Sequence, residues 1–320
     1  LMKTVIVATT LALGLLSQTA FADTLVVYSA GPKPLAMGLA KEFEAKTGIK
    51  VDMFQSTAGK IMARYQAEKA NPQVDVMISA AWGDAITLDQ AGELAAYASP
   101  ESANVPAFLK TPTYVAQGAA ALTMVYNTKS KMPAPTSWAD LTKPEYRDQV
   151  TMPDPASSGS ALTLMQGLVT KNGDAAWDLF AKLNANGMLV AGANAAALNP
   201  VLQGERSVVF GAVDYIAMGQ KAKGESIEVI YPTDGTVLAP RPIMILKSSK
   251  RQDAAKQFVD FVMSEAGQKL VANVLLLPGR TDIPAKRPGF SELSIIEFDE
   301  VAGAANAAAD KAKFATIMAK

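Results

Sequence analysis

The sequence contains no histidine and no cysteine. Nucleophilic triads, histidine general bases and ordinary zinc centres are therefore excluded by composition. Without cysteine there are no disulfides, and a chain of 320 residues is long enough to rest on its core even in an oxidising compartment. An excess of one charge is missing too. Thirty Lys and Arg balance thirty Asp and Glu, which leaves no basic stripe for nucleic acid and no polybasic patch for a membrane surface. Beyond the N-terminal residues, no run reaches the roughly 18 apolar positions of a spanning helix.

What is present begins with an export signal. Lys3 precedes the apolar stretch Val5 to Leu16, which is too short to cross a bilayer, and Ala20-Phe21-Ala22 puts small residues where a signal peptidase cuts. The expectation is a leader over 1–22, a mature chain starting at Asp23, and a periplasmic protein. Loss of Lys3 leaves the mature chain one charge negative.

The mature chain reads as two α/β regions. Leu25 to Tyr28, Ile49 to Phe54 and Val74 to Ser79 have strand patterns, each followed by a helix: Pro34 to Thr47, Ile61 to Ala70 and Asp84 to Gly92. Three such units predict a parallel sheet whose loops share one edge. A second region starts near Ala119, with strands at Ala120 to Tyr126, Val150 to Met152, Val208 to Ala212 and Ile227 to Tyr231, and a helix over Ala161 to Thr170. Pro242 to Lys247 returns as a strand, one amphipathic helix follows over Ala254 to Leu270, and Ala302 to Lys320 reads as an alanine-rich surface helix or a frayed tail. The fold class is α/β in two lobes, each a mainly parallel sheet flanked by helices. The lobes are 23–118 with 236–290, and 119–235, with 291–320 packed on them and crossings near 115–123 and 235–241.

The strand-to-helix loops carry the candidate site. Ser56-Thr57-Ala58-Gly59-Lys60 has the end of a nucleotide-binding loop, yet it lacks the first glycine and has Ile61 where magnesium needs a hydroxyl. Its hydroxyls and free N–H groups suit an oxyanion, or simply cap a helix. Ser157-Ser158-Gly159-Ser160 repeats that logic in the second region. Facing each other, the two loops would clamp an anion through neutral donors, without lysine or arginine. Ser29, Gly31 and Asn194 join this candidate set. Trp82 can lie over a ligand or cap the core, and Asp214, Tyr215 and Asp234 can accept from ligand hydroxyls or an amine, or serve as caps and turns. A Ser/Lys dyad is the nucleophile arrangement that composition leaves open, but no Ser-x-x-Lys sits on a strand-helix elbow; carboxylate pairs for glycoside hydrolysis are also left open. The expectation is a binding protein, not an enzyme, with no cofactor.

Several segments together resemble a known family: Val26-Val27-Tyr28-Ser29 before a Gly-Pro loop, Asn71-Pro72-Gln73-Val74-Asp75-Val76, Ala91-Gly92-Glu93-Leu94, Tyr126-Asn127-Thr128, Pro135 to Leu141, and Ala266-Gly267-Gln268. The family is the extracellular solute-binding proteins of ABC importers that includes ferric-ion-, thiamine-, hexose-phosphate- and 2-aminoethylphosphonate-binding members, with the type II periplasmic binding fold. The resemblance implies a hinge, closure on a small-molecule ligand and an inner-membrane ABC permease as partner; the charge balance adds the expectation of no nucleic-acid partner, and a monomer is expected. Ferric-binding members often carry an adjacent Tyr-Tyr pair, where this chain has Asp214-Tyr215-Ile216. Tyr28 and Tyr215 are the ferric ligands available to that alternative. Tyr231 to Val237 and Ala239-Pro240-Arg241-Pro242 are similar to the sugar-phosphate type. A phosphorylated organic anion is therefore the first expectation, ferric ion the alternative, and thiamine a third.

Overall fold

The computed structural model describes residues 24–319, so the expected leader lies outside the described residues. The first third alternates β1 (Leu25–Ser29), α1 (Lys33–Thr47), β2 (Val51–Gln55), α2 (Ala58–Ala67), β3 (Val76–Ile78) and α3 (Trp82–Gln90). Then come β4 (Tyr114–Asn127), β5 (Val150–Met152), α4 (Gly159–Asn172), α5 (Asp174–Ala185), β6 (Leu189–Val190), α6 (Asn194–Leu202), β7 (Val208–Val213), α7 (Asp214–Ala222) and β8 (Ile227–Ile230). The chain closes with β9 (Leu238–Ile245), α8 (Gln252–Met263), α9 (Glu265–Asn273), β10 (Leu277–Pro278) and α10 (Glu300–Met318).

As the hydrophobic spacing requires, α1 buries Leu35, Leu39 and Phe43 on one face, and Gly48 ends it in the left-handed region at φ 74° with its N–H on Glu44 O. The Phe43 ring meets Phe258 of α8 edge-on at 5.1 Å. Burying a side chain of this size contributes roughly 1.5–3 kcal/mol. β1 pairs in parallel with β2 on one side and β3 on the other. Their following loops therefore emerge at one edge.

The second parallel set has β5 between β6 and β7. Joining the two sets is β4, which starts six residues before the expected Ala120. Residues Tyr114 to Ala121 pair antiparallel with β9, whereas Leu122 onward pairs with β7 and Met124 onward also with β8. The early start was hidden because Gly118 and the alanines after it have weak strand propensity, and only tertiary pairing makes them a strand.

The single helix expected over Ala254 to Leu270 is two. Ser264 takes extended backbone at φ −65°, ψ 165° and its Oγ accepts from Gly267 N, starting α9 afresh. A Cβ on Gly267 would lie 2.3 Å from Phe261 O, so glycine is what lets the corner close. Likewise α3 begins at Trp82 rather than Asp84.

The C-terminal helix α10 is ordered on the protein, packing against α3, α4 and α5. Phe314 is buried edge-on against Phe180 at 5.4 Å, and Asn184 Nδ2 donates to Ile317 O at 3.0 Å. Burial holds Glu300 in its first turn up at about 7. Burial also raises Asp84 on α3 to about 6, against the opposing pull of the Ser79 hydroxyl and Lys311. A carboxyl whose folded pKa exceeds its unfolded value destabilises the fold once both states are ionised, and that cost disappears as pH falls through the window. Glu300→Gln is accordingly expected to raise the melting temperature near pH 8, with the gain shrinking through about pH 7 and gone below about pH 4. Thermal melts across that range check the sign.

Candidate ligand-binding cleft

The carboxyl edges of the two parallel sets face one another, the place where open α/β sheets bind ligands. Between them lies a cavity of about 160 Å³. From the first set it is lined by Gly31, Gln55, Ser56, Thr57 and Ala58, and from the second by Ser157, Ser158, Gly159, Asn194 and Tyr215. Of these ten residues, all but Gln55 are among those the sequence singles out, so nine candidates meet in one cleft.

Local structure explains the placement. Thr57 caps α2, its Oγ1 accepting from Lys60 N at 3.3 Å. Ser158 caps α4, its Oγ accepting from Ala161 N at 3.2 Å. The first N–H groups of both helices have no intrahelical acceptor and carry the positive end of the helix dipole. Ser158 Oγ also donates to Asn194 Oδ1 at 3.3 Å, and Asn194 Nδ2 donates to Ser160 Oγ at 3.3 Å. That triangle fixes the start of α6 beside the start of α4. On the facing wall, Gln55 Nε2 donates to Gly31 O at 2.9 Å, which leaves Oε1 as an acceptor.

The two walls stand very close. A Cβ on Gly59 would lie 2.3 Å from Ala156 O, and one on Gly159 would lie 2.9 Å from the Ala81 Cβ. Gly59 itself is not a lining residue; its role is to let the walls meet.

Other candidates do not line the cleft. Ser29 Oγ is buried and accepts from Gly31 N at 3.1 Å, shaping the loop from beneath. Ser160 is fully buried under Ser158. Trp82 is buried edge-on against Tyr114 at 4.8 Å, in the core. Asp234 accepts from Trp138 N at 3.3 Å in a turn that lines a different cavity. Asp214 is fully buried and pairs with Arg287 rather than facing the cleft. Tyr28 donates to Glu68 at 2.5 Å and does not line the cleft, so it is not brought to Tyr215. Burial, and then Glu68, push its phenol far above the usual range.

Besides Gln55, the loop patterns missed the charged lining residue, Arg241, in the middle of β9. It is 1% exposed. Its Nη1 donates to Ala30 O at 3.3 Å and its Nη2 to Tyr215 OH at 3.2 Å, with the guanidinium 5.2 Å from the Tyr215 ring centre. Nε has no hydrogen-bond partner. Among the described residues no carboxylate pairs with it. An arginine between two prolines inside an otherwise apolar strand was the available signal, and the expected cradle of neutral donors gains one full positive charge.

This chain is similar to several known proteins. It is 25% identical to the putative 2-aminoethylphosphonate-binding periplasmic protein of Salmonella paratyphi A over 75% of this chain and 73% of that one. It is 25% identical to iron uptake protein A1 of Synechocystis, over 73% of this chain and 69% of that one. The periplasmic binding protein AfuA of Actinobacillus pleuropneumoniae, with exogenous fructose-6-phosphate bound, matches with a TM-score of 0.83 at 25% identity, over 92% of this chain and 96% of that one. Residues 71–301 match the family described as bacterial extracellular solute-binding protein. With the two-lobed fold and its facing sheet edges, the chain therefore belongs to the bacterial extracellular solute-binding proteins, which capture a ligand for transport and are not enzymes.

Proposed function

We propose that this protein captures a small phosphorylated organic anion, a sugar phosphate or a phosphonate, between its lobes and delivers it to an inner-membrane ABC permease. The observation that carries the reading is Arg241, buried at 1% exposure in the cleft with no carboxylate partner among the described residues. Leaving one charge buried and unpaired costs several kcal/mol, so a cleft that keeps such a charge is suited to a ligand that supplies the opposite one. The N-termini of α2 and α4 add neutral donors to the same oxyanion. The ferric alternative asks for several anionic oxygens, and among the described lining residues Tyr215 is the sole phenol and no carboxylate is present. Thiamine would set its cationic ring against Arg241.

In this reading the lobes are 23–118 with 236–290, and 119–235, with 291–320 lying across them, and the protein works as a monomer. The hinge runs through β4, which changes partners between Ala121 and Leu122, and through β9 beside it. Closure follows as a population shift towards the form in which the walls touch.

Calorimetric titration with glucose-6-phosphate is expected to show binding, weakened about tenfold to a hundredfold by Thr57→Ala or Ser158→Ala, at roughly 1.5–3 kcal/mol per charge-assisted hydrogen bond. Gly59→Ala puts a methyl against Ala156 O and is expected to reduce ligand-induced compaction in small-angle scattering. Parent-like phosphate binding by both hydroxyl variants, together with ferric citrate binding that Tyr215→Phe abolishes, would overturn the reading in favour of iron.

A further inference from the structure

We infer that the ligand's body is neutral: the cleft selects phosphorylated or phosphonylated compounds whose non-acidic part carries hydroxyls, and disfavours those carrying an ammonium. The inference rests on the anion reading above and narrows it. Among the described residues lining the cleft there is one cation, Arg241, and no carboxylate at all. Its other polar side chains are all amides and hydroxyls, Gln55, Asn194, Ser56 and Ser157 among them. The acid that a sequence reading would give to an amine, Asp214, is committed to Arg287, and both side chains are 0% exposed. Asp234 lines another cavity.

An ammonium entering this space loses its water, meets no counter-charge on the wall, and lies in the field of a guanidinium and of two helix N-termini, all of the same sign. A hydroxyl of the same size carries no such penalty. It donates to Gln55 Oε1, which stays available because Nε2 is the atom used on Gly31 O. Like-charge juxtaposition is a common way for a site to reject the wrong ligand.

Two matched pairs test this at different body sizes: 2-hydroxyethylphosphonate against 2-aminoethylphosphonate, and glucose-6-phosphate against glucosamine-6-phosphate, each titrated calorimetrically into the full mature chain. The hydroxyl member of a pair that binds is expected to bind at least about tenfold more tightly. Ala195→Asp adds a carboxylate at the cleft wall and is expected to shrink or reverse that preference while weakening the hydroxyl ligand. Equal or tighter binding of the amino member by the parent overturns the neutral-body inference and leaves the anion reading standing. No binding of any of the four overturns both.

Discussion

Arg241→Met is expected to remove ligand binding almost completely while making the ligand-free protein more stable. A buried charge whose partner is lost weakens a complex by about 2–5 kcal/mol, on the order of 30-fold to 5000-fold in dissociation constant. The second half of the expectation has the opposite sign for the same reason. In the structure the guanidinium has two long hydrogen bonds, at 3.3 and 3.2 Å, an unpartnered Nε, and no ion pair among the described residues. Methionine fills a similar volume without that desolvation cost, and replacing buried charge by well-packed apolar groups is often neutral or stabilising. Arg241→Lys keeps the charge but loses the planar fork, so its affinity falls between the two. Calorimetry with glucose-6-phosphate and thermal melts without ligand read the two halves separately. A methionine variant that binds as the parent does removes Arg241 from recognition; one that binds weakly but melts lower without ligand removes the claim that its charge is held in readiness.

Arg241 also marks what kind of information the sequence carries. The alternation of strands and helices is local, and Leu35, Leu39 and Phe43 or the Gly48 stop announce it within a few residues. Because parallel strands send their loops to one edge, the loops at Thr57 and Ser158 could each be placed at a sheet edge from the sequence, but that the two edges face each other was only a condition of that reading. A strand interior gives a weaker cue, here only an arginine between two prolines. Arg241 stands among apolar neighbours, and its meaning comes from Ala30 and Tyr215, which approach from other loops. The break at Ser264 was masked in a similar way, because the apolar residues Phe258 to Leu270 keep helical spacing through it. The helix stops where Ser264 takes extended backbone, and Gly267 permits the tight corner because a side chain there would meet the Phe261 and Val262 carbonyls, a steric matter invisible to periodicity. Asp214 is the clearest case of a local cue with a distant answer. It sits where a strand gives way to a helix, as the cleft residues do, yet its partner is 73 positions away.

Removing that partner is expected to cost more stability than any other single change described for this protein. Asp214 accepts from Arg287 Nη2, from Tyr231 OH at 3.0 Å, from Tyr215 N at 2.8 Å, and from Ala121 N at 3.2 Å. Burial, and then the charge of Asp214, hold the Tyr231 phenol well above its usual range, so it remains a donor. Arg287 Nη2 also donates to Tyr231 OH at 3.0 Å. The network ties the segment after β10 to α7 and to the last β4 residue that pairs with β9. Arg287→Ala leaves a fully buried carboxylate without its counter-charge, an error worth about 3–5 kcal/mol in unfolding free energy. The double variant Asp214→Leu with Arg287→Met removes both charges together and is expected to recover most of the loss, because the pair's desolvation cost goes with it. Urea unfolding of the three variants gives that cycle directly. The same proteins separate a structural role from a ligand contact: if Asp214 bound the ligand, Asp214→Asn would weaken binding at little cost in stability, whereas a buried anchor gives a large loss of stability and a smaller change in affinity. Equal stability of Arg287→Ala and the parent would mean that the pair is not the anchor its burial implies.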